Sequence, residues 1–435
     1  MLTSVALSFV LAQGNPVDVI VQKHLEKGLL GVGVAVVKDG KVVHLKTYGK
    51  GSTPNHDGHY RLASITKQFT AGVIVRLVRE KKFAYEDTLG KLMPDTPTDW
   101  HPVTIRQLLT HTSGIPSYTN SKKFAFVMQK AVNPDGIWQL VRDEKMDFAP
   151  GTRYSYNNTA YALLGCLIER TTKKDYYSAL EAYLLRPAGM RSTGSERRFK
   201  VVESFGENGK PSFQMNMDWP YSAGALVTTL ADMTQWDIAL RGTRLFTTAE
   251  KELMFNPDPT TVKLKEPYGF GWHPKYENGK IYSYAHEGGI PGFSTMIDRA
   301  VDGTTVIVLA NHEHRSRSIL SNEVIEHFYP KPIPPMTVDT MPELTAKHRQ
   351  MFVNLLKGSV NESDFSNEFL KQVPVSVLIS SSKQFAEMGE LGDFVLIKSE
   401  GDKDVRRSYR LMLGETKMTL NIAVQGGLIV GMTIR

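Results

Sequence analysis

A single cysteine in 435 residues excludes an intramolecular disulfide framework, and the lack of a Cys pair argues against a structural zinc site. No segment approaches the roughly 20 apolar residues of a spanning helix, so no stable membrane span is expected. Excess charge is small: 52 Lys and Arg against 45 Asp and Glu leave +7. That is a weak bias towards anionic partners, not the footprint of a nucleic-acid binder. The lipase-type Gly-x-Ser-x-Gly is missing, which argues against an α/β-hydrolase triad. Gly31-Val32-Gly33 lacks the third glycine of a dinucleotide loop and lies in a strand, so no nucleotide cofactor follows from it. Asn311-His312-Glu313-His314 reads as a solvated loop after a strand. No metal and no cofactor are expected, and no internal repeat is evident.

What is present is globular: 41% apolar and 22% charged residues, in a length that allows two or three domains. Residues 1–13 are apolar and rich in small residues, with Val10 and Ala12 where a signal peptidase would read them. The segment lacks a basic start, so it reads as a signal peptide or a tail. Export to the periplasm or the exterior is expected, with a cytoplasmic location as the alternative. Asn15-Pro16 then forms a helix start, and the helix runs to about Gly28. Val32–Val37 and Lys41–Tyr48 form a hairpin about Asp39-Gly40. From Ser64 the apolar spacing is helical, ending near Lys81-Lys82.

The middle, about Asp87–Met254, reads as helices with long loops. Strands return at Tyr268–Trp272, Lys280–Tyr284, Gly292–Asp298 and Thr304–Ala310. Strands at both ends of a helical middle predict an α/β (α+β) fold, an antiparallel sheet flanked by helices with a helical insertion. This domain spans 14–329. A proline-rich linker, 330–341, follows. Beyond it lies a small α+β domain, 342–435, with helices near Pro342–Lys357 and Glu362–Gln372. Its four strands are Asp393–Lys398, Asp404–Leu413, Lys417–Val424 and Leu428–Ile434.

Three elements carry chemistry. Ser64-Ile65-Thr66-Lys67 puts a hydroxyl and an amine on one helix face at a helix N-terminus. A lysine one turn away can accept the serine proton, although a plain N-cap serine has the same look and Ser380-Ser381-Ser382-Lys383 has the same spacing. Tyr-x-Asn occurs at Tyr118, Tyr156 and Tyr276. Only Tyr156-Asn157-Asn158 sits between a Pro-Gly loop and an apolar helix; the other two read as turn residues facing solvent. His286-Glu287-Gly288-Gly289 ends a late strand, where glycines allow a ligand to approach the backbone. His56-Asp57-Gly58 shares that spacing in a polar loop. His111 reads as a loop-fixing residue and Cys166 as a small core residue.

Ser64-x-x-Lys67, Tyr156-x-Asn158 and His286-x-Gly288 stand in the order of the serine β-lactamase and penicillin-binding-protein superfamily. Val103–Pro116 and Ser222-Ala223-Gly224-Ala225-Leu226 resemble its class C branch, and the resemblance spans about residues 15–330. It implies that Ser64 is the acylated nucleophile and that Lys67 and Tyr156 share the base and acid work. It further implies that Asn158 orients Lys67 and a substrate amide, and that the backbone N–H groups of Ser64 and Gly289 form the oxyanion hole. Deprotonating an ordinary lysine at pH 7 costs about 4–5 kcal/mol. Mutual repulsion and burial are therefore expected to make Lys67 and Tyr156 act as a pair.

Many class C lactamases carry lysine where this chain has His286. Histidine there resembles D-amino-acid peptidases and related esterases. Glu287 replaces a hydroxyl residue; if it faces the cleft it repels substrate carboxylates, and the alternative by strand alternation is that it points away. The expectation is a serine hydrolase of small esters or D-amino-acid peptides and amides, with weak β-lactamase activity. The alternative is a penicillin-binding-type sensor that acylates with little turnover. The substrate partner is a small molecule, and the oligomeric state is not legible. The C-terminal domain resembles cystatin-like or nuclear-transport-factor-like accessory domains.

Overall fold

The computed structural model describes residues 15–51, 57–314, 316–330, 338–401, 405–414 and 416–434. The expected signal segment 1–13, His56 and the centre of the expected linker (331–337) lie outside them. The chain divides into two compact units, one ending at Lys331 and the other beginning at Pro332.

In the first unit Asn15 caps the opening helix, Pro16–Glu26, by accepting the Val17 N–H at 3.0 Å. Strands β1 (Gly31–Lys38) and β2 (Lys41–Gly49) follow, joined at Asp39 and Gly40, both with positive φ. That turn matches the right-handed twist of the two strands. After β3 (His59–Arg61) comes the helical region, interrupted by β4 (Val227–Thr229). Then come β5 (His273–Glu277), β6 (Lys280–Ile290), β7 (Phe293–Ala300) and β8 (Thr304–Ala310). The main sheet runs β2-β1-β8-β7-β6-β5, every pair antiparallel. Pairing of β1 with β8 joins the two ends of the unit and leaves the helical region as an insertion, the fold the residue pattern predicts.

Both faces of this sheet are covered, which is why β1 and β8 are continuous apolar runs. Val32, Val34 and Val36 pack with Val17, Val21, Leu320 and Val324 of the two terminal helices. On the other face Ala35, Ile297 and Ile307 join a larger core that encloses the helices Thr66–Arg79 and Asn158–Thr172. One buried charge ties helix to sheet. Asp237, on the helix Leu230–Arg241, accepts from Arg241 Nε (2.8 Å), Arg299 Nε (2.7 Å) and Thr305 Oγ1 (2.7 Å).

One expectation fails here. Tyr268–Trp272 is a loop and not a strand, and β5 starts one residue later. Gly271, at φ +83°, packs where any Cβ would lie 2.9 Å from the Gln68 Cα. The alternation of aromatics and glycines thus serves a backbone-to-backbone contact and no ladder. The small sheet of β3 and β4 was not legible either, since three-residue strands leave too little pattern.

The second unit holds helices Pro342–Leu356, Asn367–Gln372 and Val375–Ala386, and strands β9 (Leu391–Glu400), β10 (Val405–Leu413), β11 (Thr416–Gln425) and β12 (Leu428–Ile434). The strands form one antiparallel sheet in the order β12-β11-β10-β9. Val405, Tyr409, Leu411 and Leu413 alternate inward. The helix Val375–Ala386 goes beyond the sequence expectation. Its β-branched and serine residues are poor helix formers, and burial of Leu378 and Ser382 overrides that preference. It contains the Ser380–Lys383 decoy, whose Ser380 and Ser382 hydroxyls bond back to the Val377 and Ile379 carbonyls.

Replacing Asp237 by Ala strands two partly buried guanidinium groups. Unfolding in urea is expected to show a loss of about 3–5 kcal/mol, with a smaller loss for Asp237→Asn.

Candidate active site

Ser64 sits in a 3-10 turn, Ala63–Ile65, directly before the helix Thr66–Arg79. Neither element starts with a side-chain cap, so the Ser64 hydroxyl is not spent on capping. Ala63 has φ 50°, a left-handed conformation unusual for a residue with a Cβ. The surroundings hold it there. Leu62 N–H donates to Leu226 O (2.8 Å), Thr295 Oγ1 donates to Leu62 O (2.9 Å), and Leu226 N–H donates to Thr66 Oγ1 (3.2 Å). Gly288 of β6 lies against this turn: a Cβ there would meet Thr295 Oγ1 at 2.1 Å and Leu62 O at 2.3 Å. Close packing is therefore the demand on Gly288. Gly289 differs, since a Cβ on it would meet open space.

Lys67 is fully buried. Its Nζ lies 3.2 Å from Ser64 Oγ, 2.9 Å from Asn158 Oδ1 and 2.8 Å from the Ala223 carbonyl. Burial holds its pKa well below the ordinary 10.5, because an ammonium without water loses its solvation. Asn158 is placed by the N-terminus of its own helix. The preceding Asn157 caps that helix through Ala160 N–H (2.8 Å) and also donates to Ile115 O. The Ala223 carbonyl is presented by the short helix Tyr221–Gly224. That turn lies so close to Gly165 that a Cβ there would be 2.1 Å from Ser222 Oγ.

Tyr156 sets its ring 4.7 Å from Lys67 Nζ. Its hydroxyl is buried without a partner of full hydrogen-bond geometry. Burial pushes the phenol well above its ordinary range, and the neighbouring Ser64 hydroxyl opposes that shift. Burial favours the neutral form of both groups, an amine beside a phenol.

His286 is likewise buried. Its Nδ1 contacts the Glu287 carbonyl at 2.7 Å and its Nε2 the Tyr268 hydroxyl at 3.0 Å. A carbonyl only accepts, so Nδ1 carries the proton and Nε2 accepts from Tyr268. Both nitrogens are thus engaged within the protein, and the ring braces the wall where the family pattern implies a substrate contact. Burial, with His273 and Lys67 nearby, holds its pKa well below 6.5. His273 is pushed down to about 4 by burial. His111 accepts the Asn157 N–H on Nδ1 (3.0 Å) and packs 4.3 Å from the Tyr156 ring, so it fixes the loop that carries Tyr156.

The cleft beside Ser64 is about 330 Å³, lined by Tyr156, His273, His286, Glu287, Gly289 and Arg317 among others. The structure thus brings Ser64, Lys67, Tyr156, Asn158, His286, Gly288 and Gly289 into one region. Of the other two Tyr-x-Asn elements, the one at Tyr118 borders the site, Thr119 Oγ1 accepting from Asn158 Nδ2 at 3.3 Å. Tyr276 is exposed, whereas Tyr118 is buried, donating to Trp219 O at 2.9 Å. The solvent-facing reading of Tyr118 is therefore wrong. His312 is also buried, accepting the Leu30 N–H at 3.3 Å, and not solvated. No metal-binding cluster occurs among the described residues. Cys166 is buried in the core helix. Sequence reasoning assigned no role to Ala223, Thr295, Tyr268 or Arg317, whose contacts are a backbone carbonyl or side chains meeting partners far apart in the chain, with no spacing signal.

The profile of the beta-lactamase family matches residues 17–326. Penicillin-binding protein 4* of Bacillus subtilis is 31% identical over 278 residues, 58% of this chain and 61% of that protein. The chain thus spans about three-fifths of the length of that relative. A D-stereospecific amidohydrolase from Streptomyces sp. is 25% identical, with a TM-score of 0.62 over 72% of this chain and 98% of its own. The octameric penicillin-binding protein homologue from Pyrococcus abyssi, at 21% identity, gives a TM-score of 0.61 over 96% of this chain and 98% of its own.

Two outcomes follow from this geometry. Since the pKa of Lys67 is lower when folded than when unfolded, the unfolded chain binds more protons in the window between the two values. Stability there rises with pH, by up to about 1.4 kcal/mol per unit. The unfolding free energy of wild type minus that of Lys67→Met should accordingly grow as the pH rises towards the ordinary 10.5. Gly288→Ala should displace the Ser64 turn and lower kcat/KM on an activated ester by about 10²-fold or more, with KM changing less than kcat.

Proposed function

The chain belongs to the beta-lactamase family, and from that premise we propose that it is a serine hydrolase that forms an acyl-enzyme on Ser64 from small esters or D-configured amides. The observation that carries this reading is the environment of Lys67. A neutral amine has two N–H donors and one lone pair. Asn158 Oδ1 and the Ala223 carbonyl can only accept, so they take the two donors. In the neutral form that burial favours, the lone pair is left for the Ser64 hydroxyl at 3.2 Å, where the ammonium would donate instead.

Lys67 then removes the Ser64 proton as Oγ attacks the substrate carbonyl. The negative charge formed on the carbonyl oxygen is received by the backbone N–H groups of Ser64 and Gly289. Tyr156, a phenol that holds its proton, delivers that proton to the leaving group and is resupplied by Lys67. Water enters for the second half and releases the acid. His286 and His111 stay neutral at pH 7, since burial lowers the pKa of each, and they hold the phenol in place without taking part in proton transfer. The amidohydrolase likeness supports amides of D-amino acids as the substrate class.

The test is a stopped-flow burst with a p-nitrophenyl ester, together with intact mass after quenching. Wild type should show a burst and an acyl adduct on Ser64, and Ser64→Ala neither. Tyr156→Phe should retain the fold and lose about 10²–10⁴-fold in turnover. Equal, slow hydrolysis by wild type and Ser64→Ala would refute the reading. A burst without multiple turnover would instead favour the binding role that the name of the Bacillus subtilis relative carries.

A further inference from the structure

The cleft contains two cations at its mouth, and both are neutralised. Lys275 Nζ is 2.5 Å from Asp298 Oδ2 and 3.1 Å from Asn322 Oδ1. Arg317, on the helix Ser316–Phe328, donates from Nε (3.1 Å) and Nη2 (2.7 Å) to Glu287. Both of these bonds end on one oxygen, Oε2, so the pair is end-on and Oε1 lies outside it. The Glu287 side chain is 52% exposed and that of Arg317 26%.

The location follows from strand alternation. His286 and Gly288 of β6 point to the Ser64 turn, so Glu287 belongs to the opposite face with Ala285, towards the terminal helices. Pairing of β6 with β5 ends at His273 and Ala285. Beyond that point the β5 side of β6 is open, and Glu287 and Arg317 reach round it to line the same cleft as Ser64 and Tyr156. The Glu287 charge is felt inside: it raises the pKa of Tyr156 and opposes the fall at His273.

We propose that Glu287 and Arg317 form a charge lock that makes the cleft discriminate against substrates whose leaving group carries a carboxylate beside the scissile bond. The inference rests on the serine-hydrolase reading and narrows its substrate class to neutral or amine-bearing esters and amides. Arg317 is the group an incoming carboxylate would pair with. Glu287 already occupies it and presents Oε1 to the newcomer. Opening the lock requires loss of one negative charge, which turns Arg317 from a neutralised group into an anion site.

The experiment compares an N-acyl-D-alanyl-D-alanine with its C-terminal amide, which differ only in that carboxylate. Wild type should favour the amide. Glu287→Gln keeps size and polarity, and should raise the acid-to-amide ratio of kcat/KM by about tenfold or more. The double variant Glu287→Gln, Arg317→Ala should lose that gain. A ratio unmoved by Glu287→Gln while Ser64-dependent hydrolysis continues would overturn the lock alone. A gain that persists in the double variant would also overturn it, since Arg317 would then play no part. Absence of Ser64-dependent hydrolysis of either substrate in wild type would overturn the parent reading and the lock with it.

Discussion

One amine without water governs this site. Lys67 lies in full burial among groups that can accept its hydrogens, and the free energy of burying a charge there acts against the ammonium. In water the same side chain would be protonated and useless as a base at pH 7. Everything near it serves to keep water out or to aim its lone pair. Tyr156 and Tyr161 place their rings 4.7 and 5.5 Å from Nζ, and apolar residues of two core helices close the space behind.

The fold makes that burial possible by bringing backbones unusually near one another. Gly165, Gly271 and Gly288 each stand where a side chain would collide with a neighbouring segment. These contacts bring the loop before β5 and β6 against the elements that carry Ser64 and Lys67, and the Tyr221–Gly224 turn against the helix that carries Asn158. The left-handed Ala63 is held by the same convergence. Strain of this kind persists where surrounding bonds over-determine it, and here three hydrogen bonds through Leu226, Thr295 of β7 and Thr66 at the helix start do so.

Much of this was legible in the residues, because the strongest signals are local. Asp39-Gly40, Asn15-Pro16 and the Ser64–Lys67 and Tyr156–Asn158 pairs each depend on spacing within one turn. That distant strands close one antiparallel sheet could be inferred from apolar runs at both ends of the first unit. What escaped was non-local. Ala223 acts through its carbonyl, which is blind to side-chain type. Asp237 reads as an ordinary surface acid on a helix until Arg299 and Thr305 arrive from β7 and β8. The Tyr268–Trp272 run has strand composition, but the required approach of Gly271 to the nucleophile helix decides its shape. Helix Val375–Ala386 shows the reverse, since packing overrode poor propensity.

The histidines carry a similar lesson about charge. His286 stands where a lysine would supply fixed positive charge, yet both of its nitrogens are satisfied and burial keeps it neutral. With Lys275 and Arg317 each paired to a carboxylate, the basic group that contacts Ser64 Oγ among the described residues is Lys67. The account therefore stands on the protonation state of that single residue. Carbon-13 NMR titration of the enzyme with labelled lysine Cε reads it directly. A Lys67 resonance at the neutral-amine shift at pH 7 is the predicted result. A resonance that stays at the ammonium shift until near the ordinary 10.5 would contradict it.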